Sequence, residues 1–119
     1  RPDVRAFEML DAPSGAHRGL FLLDAFARPG KRSGAWMSSL RVAEALDRQV
    51  TPIVVNNNNI AKGDPALLSW DDARTLFHEF GHALHGLLSD VTYGSLAGTA
   101  VSRDFVELPS QLYEHWLTV

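Results

Sequence analysis

The chain of 119 residues contains no cysteine. Disulfides and thiolate metal sites are therefore excluded, and redox chemistry does not choose between compartments. The cytoplasm is the expected location, with the periplasm as the alternative. Charge of one sign is equally scarce: 11 Lys and Arg against 14 Asp and Glu give a net charge of -3, and the signs are interspersed. Without a basic patch or a polybasic stripe, neither nucleic acid nor a membrane surface is an expected partner. No apolar run approaches the roughly 18 residues of a membrane span, and the stretch carries no signal-peptide pattern. What remains, 45% hydrophobic residues, suits one soluble domain with a modest core.

Local patterns before residue 69 are mixed. Pro2, Pro13 and Gly15 interrupt the first 18 residues, leaving room for a short helix around Val4–Leu10. Gly19–Phe26 is an apolar run closed by Pro29 and Gly30, the length and punctuation of a buried strand. Lys31, Arg32, Ser33 and Gly34 read as a solvated turn or, second, as part of a cleft rim. Val42, Ala43, Ala45 and Leu46 favour a short helix within Ser38–Gln49. Val50–Val55 is β-branched and bounded by Asn56–Asn59, a run of turn formers. Pro52 cannot donate to a ladder, so that strand is predicted at a sheet edge or at a strand start. An edge strand beside a cleft can pair with an extended peptide.

The chemistry is concentrated further on. Ser69 stands three residues before Asp72, a capping box that predicts a helix from about Trp70 to Leu88. On it His78 and His82 are four residues apart, so both imidazoles share one face and can bind one metal ion. Glu79, rotated to the flank, is placed to hydrogen-bond a water there. This HExxH pattern supplies two zinc ligands and a general base. Leu76, Phe77, Phe80, Ala83, Leu84, Leu87 and Leu88 make the rest of the helix apolar, as for a helix buried on nearly all sides. Histidines paired in a core are the alternative, but polar groups buried there need partners or a cavity. Gly81 and Gly86 lower helix propensity and suit close approach of another backbone.

Catalytic zinc takes three protein ligands. His85 lies about 10 Å along the axis from His78 and cannot share the ion. The metzincin continuation is absent, because His85 and Leu88 occupy its Gly and His positions. Asp90 is too close to fold back. Asp104, Glu107 and Glu114 lie in a second helical run starting near Ser102 or Asp104, and pattern alone does not choose among them. Pro109 must perturb the first turns of that run. Asp104, Gln111 and Glu114 are candidates for orienting the ligand imidazoles. Between the helices, the Gly- and Ser-rich loop of Ser89–Ala100 is either a connector or, at Tyr93–Thr99, a cleft wall.

Phe77–Gly86, followed by Tyr93–Thr99 and Arg103–Gln111, closely resembles the thimet-oligopeptidase-like zinc peptidases of family M3. Arg28–Trp36 resembles the block that precedes the catalytic helix in that family, and Arg103–Gln111 is nearer its peptidyl-dipeptidase branch than its oligopeptidase A branch. The resemblance runs from about residue 19 to the last residue. It implies that Glu107 is the third ligand of one zinc ion beside His78 and His82, with Glu79 as base and oligopeptides as substrates. The implied fold is α+β and mainly α-helical: an HExxH helix and a second ligand-bearing helix against a small β-sheet, as part of a gluzincin-like catalytic domain. A His and Tyr segment that stabilises the transition state is implied beyond Val119, so residues 1–119 are expected to be a single partial catalytic domain of a monomeric parent, with self-association expected of the isolated piece. The alternative to a metallopeptidase is a truncated, catalytically incomplete zinc-binding helical module.

Overall fold

A computed structural model describes residues 1–118. Four strands, β1 (Val4–Leu10), β2 (His17–Phe26), β3 (Trp36–Arg41) and β4 (Ile53–Ile60), precede three helices, α1 (Trp70–Leu87), α2 (Arg103–Val106) and α3 (Leu108–Trp116). The α+β class holds, whereas the mainly helical expectation does not: helix and strand take 29% and 28% of the chain. Two stretches expected to be helical are strands. Val4–Leu10 is β1 because the next turn makes a hairpin: the Asp11 carboxylate accepts from the Ser14 amide at 3.2 Å and hydroxyl at 2.6 Å, and Gly15 takes a φ of +68° that only glycine adopts without strain. The first part of Ser38–Gln49 is β3, which satisfies the otherwise open edge of β4.

The sheet order is β1-β2-β4-β3, with β2 and β4 parallel and both outer pairs antiparallel. The apolar run of β2 forms the expected buried strand. β4 is central, so the edge half of the Pro52 constraint fails and the strand-start half holds. Pro52 stands just before β4 and gives only its carbonyl, to the Leu20 amide at 3.0 Å. Nor does the Asn56–Asn59 run form a turn. Ladders on both sides of Asn56 and Asn57 hold the run extended, which overrides a local turn preference. Val54, Asn56, Asn58 and Ile60 form the buried face of β4, and Val54 meets Phe21, Ala83 and Leu87 in the core.

Helix α1 lies on that face. Its start is as predicted: the Ser69 hydroxyl accepts from the Asp72 amide at 3.0 Å, and the Asp72 carboxylate accepts from the Ser69 amide at 3.0 Å. It is sandwiched rather than enclosed, since Leu88, at its C-cap, is exposed. Its other side receives α3 at Gly81, where an added Cβ would stand 2.6 Å from the Pro109 carbonyl oxygen and 2.6 Å from the Ser110 Cα. The expected second helix is broken at Glu107 into α2 and α3, with Pro109 in the first turn of α3, where a missing amide hydrogen costs nothing. Of the helical pattern at the last residues, Leu117 and Thr118 form a turn and Val119 lies outside the described residues.

The Lys31–Gly34 segment is not a solvated turn throughout. The Lys31 side chain is 3% exposed. Its ammonium donates to the carbonyls of Asp24 at 2.9 Å and Phe26 at 3.0 Å, to the Asn58 carbonyl, and to the Asp24 carboxylate at 3.1 Å. These acceptors cluster where β2 and β4 slip register after Asp24. Arg28 holds the same carboxylate through two bonds of 2.6 and 2.7 Å, and this pairing, reinforced by Lys31, keeps the Asp24 carboxyl below its ordinary pKa.

Two substitutions test these contacts by urea denaturation. Gly81→Ala is expected to destabilise by about 3 kcal/mol, the upper range for overpacking, because the clash is with backbone. Lys31→Met, which strands three carbonyls and weakens a buried ion pair, is expected to cost about 2–4 kcal/mol. The depressed Asp24 carboxyl stabilises the fold fully above its unfolded pKa of about 3.9 and loses that contribution as pH falls through the lower folded value. Acid destabilisation on the way down from pH 4 should therefore be shallower in Lys31→Met than in the unaltered protein.

Candidate metal centre

The histidine spacing on α1 does what 3.6 residues per turn requires: His78 and His82 stack on one face, with ring centroids 4.9 Å apart. Opposite them, the break between α2 and α3 turns the Glu107 side chain back toward α1. The Glu107 Oε2 atom stands 3.2 Å from His78 Nε2 and 3.3 Å from His82 Nε2, and one ligand atom from each residue lies within 4.8 Å of the other two. Atoms about 2.0–2.2 Å from one ion at tetrahedral angles stand about 3.3–3.6 Å apart, so these residues fit a single metal ion.

Electrostatics support that donor set. The buried Ser110 hydroxyl donates to Glu107 Oε2 at 2.8 Å, and this bond is the main reason the Glu107 carboxyl lies below its ordinary pKa. Burial pushes His82 down, toward the neutral form that can ligate. Glu79 is 7% exposed, and desolvation raises its pKa, with the nearby backbone of Met37 on β3 acting weakly in the opposite direction. The site thus holds one carboxylate biased to stay ionised and one biased to accept a proton.

Of the three residues considered for orienting the imidazoles, only Glu114 reaches one. Its Oε1 accepts from His78 Nδ1 at 2.6 Å, and Arg74, one turn before His78 on α1, holds its Oε2 at 3.2 Å. Asp104 is exposed and bonds Ser102, while Gln111 is exposed beside Arg74 and His115. Asp90 is exposed beyond the end of α1. His85 is outside the cluster, as its spacing requires: its ring lies 6.1 Å from that of Phe105. His82 Nδ1 is buried without a hydrogen-bond partner among the described residues.

The cluster opens on a cleft of about 320 Å³ walled by Trp36 and Met37 at the start of β3, and by Thr99 and Val106. Thr99 thus belongs to the cleft, whereas Tyr93 is an exposed part of the connector. Gly98, with φ +54°, seats that loop against the Gly86 backbone, 2.9 Å from where its Cβ would be. Sequence reasoning missed Met37, which sits in a stretch read as loop and helix, and Ser110. For Ser110 a signal existed: a hydroxyl three residues after a helix-start Glu can bond that residue. For Met37 there was none, because its backbone is what acts.

The model of Peptidase family M3 matches residues 1–119. The chain is 49% identical over 120 residues to a dipeptidyl carboxypeptidase of Escherichia coli, 44% identical over 121 residues to oligopeptidase A of the same organism, and 38% identical over 120 residues to a thimet-like oligopeptidase of Dictyostelium discoideum. Those alignments cover 98%, 97% and 96% of this chain but only 17%, 18% and 18% of the relatives. The chain spans less than a fifth of the length of the curated relatives it matches. With the match running through every residue of the cluster, the chain belongs to Peptidase family M3.

Proposed function

We propose that this chain carries the zinc centre of a metallopeptidase that hydrolyses oligopeptides, and that it forms part of a gluzincin-like catalytic domain. The observation that carries the reading is the convergence of His78 Nε2, His82 Nε2 and Glu107 Oε2 at tetrahedral-edge spacing with the buried carboxylate of Glu79 beside them. Two imidazoles and one carboxylate are a donor set suited to catalytic zinc, leaving a position for water. Zinc held there supplies Lewis-acid chemistry, polarising a carbonyl and acidifying water. The relatives, a dipeptidyl carboxypeptidase and oligopeptidases, are peptidases by name, which supports peptide substrates.

His78 and His82 act as neutral ligands, and Glu107 brings the negative charge. Glu114 fixes the His78 ring by accepting its Nδ1 hydrogen, so that Nε2 faces the ion. Glu79 takes the proton of the attacking water and delivers it to the leaving amine; its raised pKa brings it nearer the operating pH, which favours both transfers. An extended peptide lies along β3, the outer strand on the cleft side of the sheet, in the pairing mode of β-augmentation.

Glu79→Gln is expected to leave metal affinity within a few-fold and lower kcat on the order of a thousandfold, near the middle of the range for general-base loss. Retained turnover would remove Glu79 from that role. Metal affinity by chelator competition separates ligand from support. Glu107→Ala should weaken zinc most, Glu114→Ala by about 10–100-fold, and Asp104→Ala hardly at all. Should Glu114→Ala or Asp104→Ala cost more than Glu107→Ala, the ligand assignment is wrong. Zinc binding without cleavage of any oligopeptide would favour the zinc-binding module over the peptidase.

A further inference from the structure

The loop between β2 and β3 borders the cleft and is fixed more firmly than an exposed loop requires. Burying a lysine ammonium is costly unless every donor is satisfied, and Lys31 is satisfied by three carbonyls and the Asp24 carboxylate. On the next turn the Asn59 side-chain amide donates to the Arg32 carbonyl at 2.9 Å and to the Gly34 carbonyl at 2.7 Å. Gly30 and Gly34, with φ of +79° and +85°, close the two bends. The backbone of residues 30–34 is thereby clamped to the ends of β2 and β4, and the side chain that this clamp presents is Arg32.

Arg32 is exposed, and its guanidinium carbon lies 5.2 Å from the ring centre of Trp36. Stacking on an aromatic face fixes the plane of the guanidinium while its edge donors stay free. Among the described residues no carboxylate pairs with it, as is also true of Arg1, Arg5, Arg41, Arg48 and Arg103; what sets Arg32 apart is its stacking on a residue of the cleft wall. Trp36 itself is cleft wall and the first residue of β3. A peptide aligned with β3 in the cleft passes Trp36, the residue on which this cation stacks.

We propose that Arg32 is a substrate-binding residue that takes a carboxylate of the peptide, either its C-terminal carboxylate or an acidic side chain, on a guanidinium held against Trp36. This rests on the peptidase reading of the site. A planar fork with free donors matches a carboxylate in bidentate fashion, which a lysine at this position would not reproduce. The reacting atoms are untouched by it, so the effect falls on binding.

The test compares the metal-loaded protein with its Arg32→Gln and Arg32→Lys variants on three fluorogenic peptides of one core sequence: a free C-terminus, a C-terminal amide, and an amide carrying one Glu near the cleaved bond. Binding of the same peptides to the Glu79→Gln background, with and without Arg32→Gln, is followed by fluorescence anisotropy. Arg32→Gln is expected to raise KM and Kd about 10–100-fold for whichever carboxylate-bearing peptide reaches the loop, with kcat altered much less. The plain amide should shift at most a few-fold, and Arg32→Lys should fall between. The peptide that responds identifies the source of the carboxylate. Equal changes for all three peptides, or none for any, overturn the assignment of Arg32 while leaving the peptidase reading intact. Failure of the unaltered protein to cleave any of them overturns both.

Discussion

The contact on which the rest depends is that of α1 with the start of α3 at Gly81. Two backbones meet there with no side chain between them, and this closeness brings Glu107, at the α2–α3 break, within 3.2–3.3 Å of both imidazoles. One helix offers two donors on a fixed pitch, and the third must come from elsewhere at a distance that only a residue without Cβ allows. Ser110 occupies the same junction, and its hydroxyl turns the contact into a hydrogen bond on the Glu107 carboxylate. Packing and ligand orientation are here one arrangement. The sheet, on the other side of α1, supplies the counter-support through Phe21, Val54, Ala83 and Leu87.

Environment assigns different tasks to chemically similar groups. Glu107 and Glu79 are the same residue type within one cleft, yet a serine hydroxyl lowers the first and burial raises the second. Their surroundings thus bias one carboxylate to stay an anion and the other toward its protonated form. Glu114 belongs to neither role. Its two oxygens join His78 to Arg74, so it links an imidazole of the cluster to a cation at the rim of the helix pair.

The legible parts of this structure were those set by neighbours in sequence. The Ser69 cap, the extent of α1, the shared face of His78 and His82, the exclusion of His85 and the break near Pro109 follow from helical pitch and local hydrogen bonding. Parts set by distant pairing were not legible. Val4–Leu10 and Ser38–Arg41 carry little in their composition against a helix, and they are strands because open edges of β2 and β4 lie beside them. The Asn56–Asn59 run stays extended for the same reason. Choosing Glu107 over Asp104 and Glu114 from spacing alone was out of reach, because all three share one short helical run and the choice depends on how that run docks on α1.

The buried ammonium of Lys31 has a consequence of its own. Three carbonyl oxygens and a carboxylate around one positive centre are the kind of cage in which many proteins lodge a sodium or potassium ion taken from solution. Here the occupant is covalently attached to the chain, so it has no dissociation constant and no competitor. The order of the loop that borders the cleft therefore does not depend on capturing a monovalent ion from the surrounding solution.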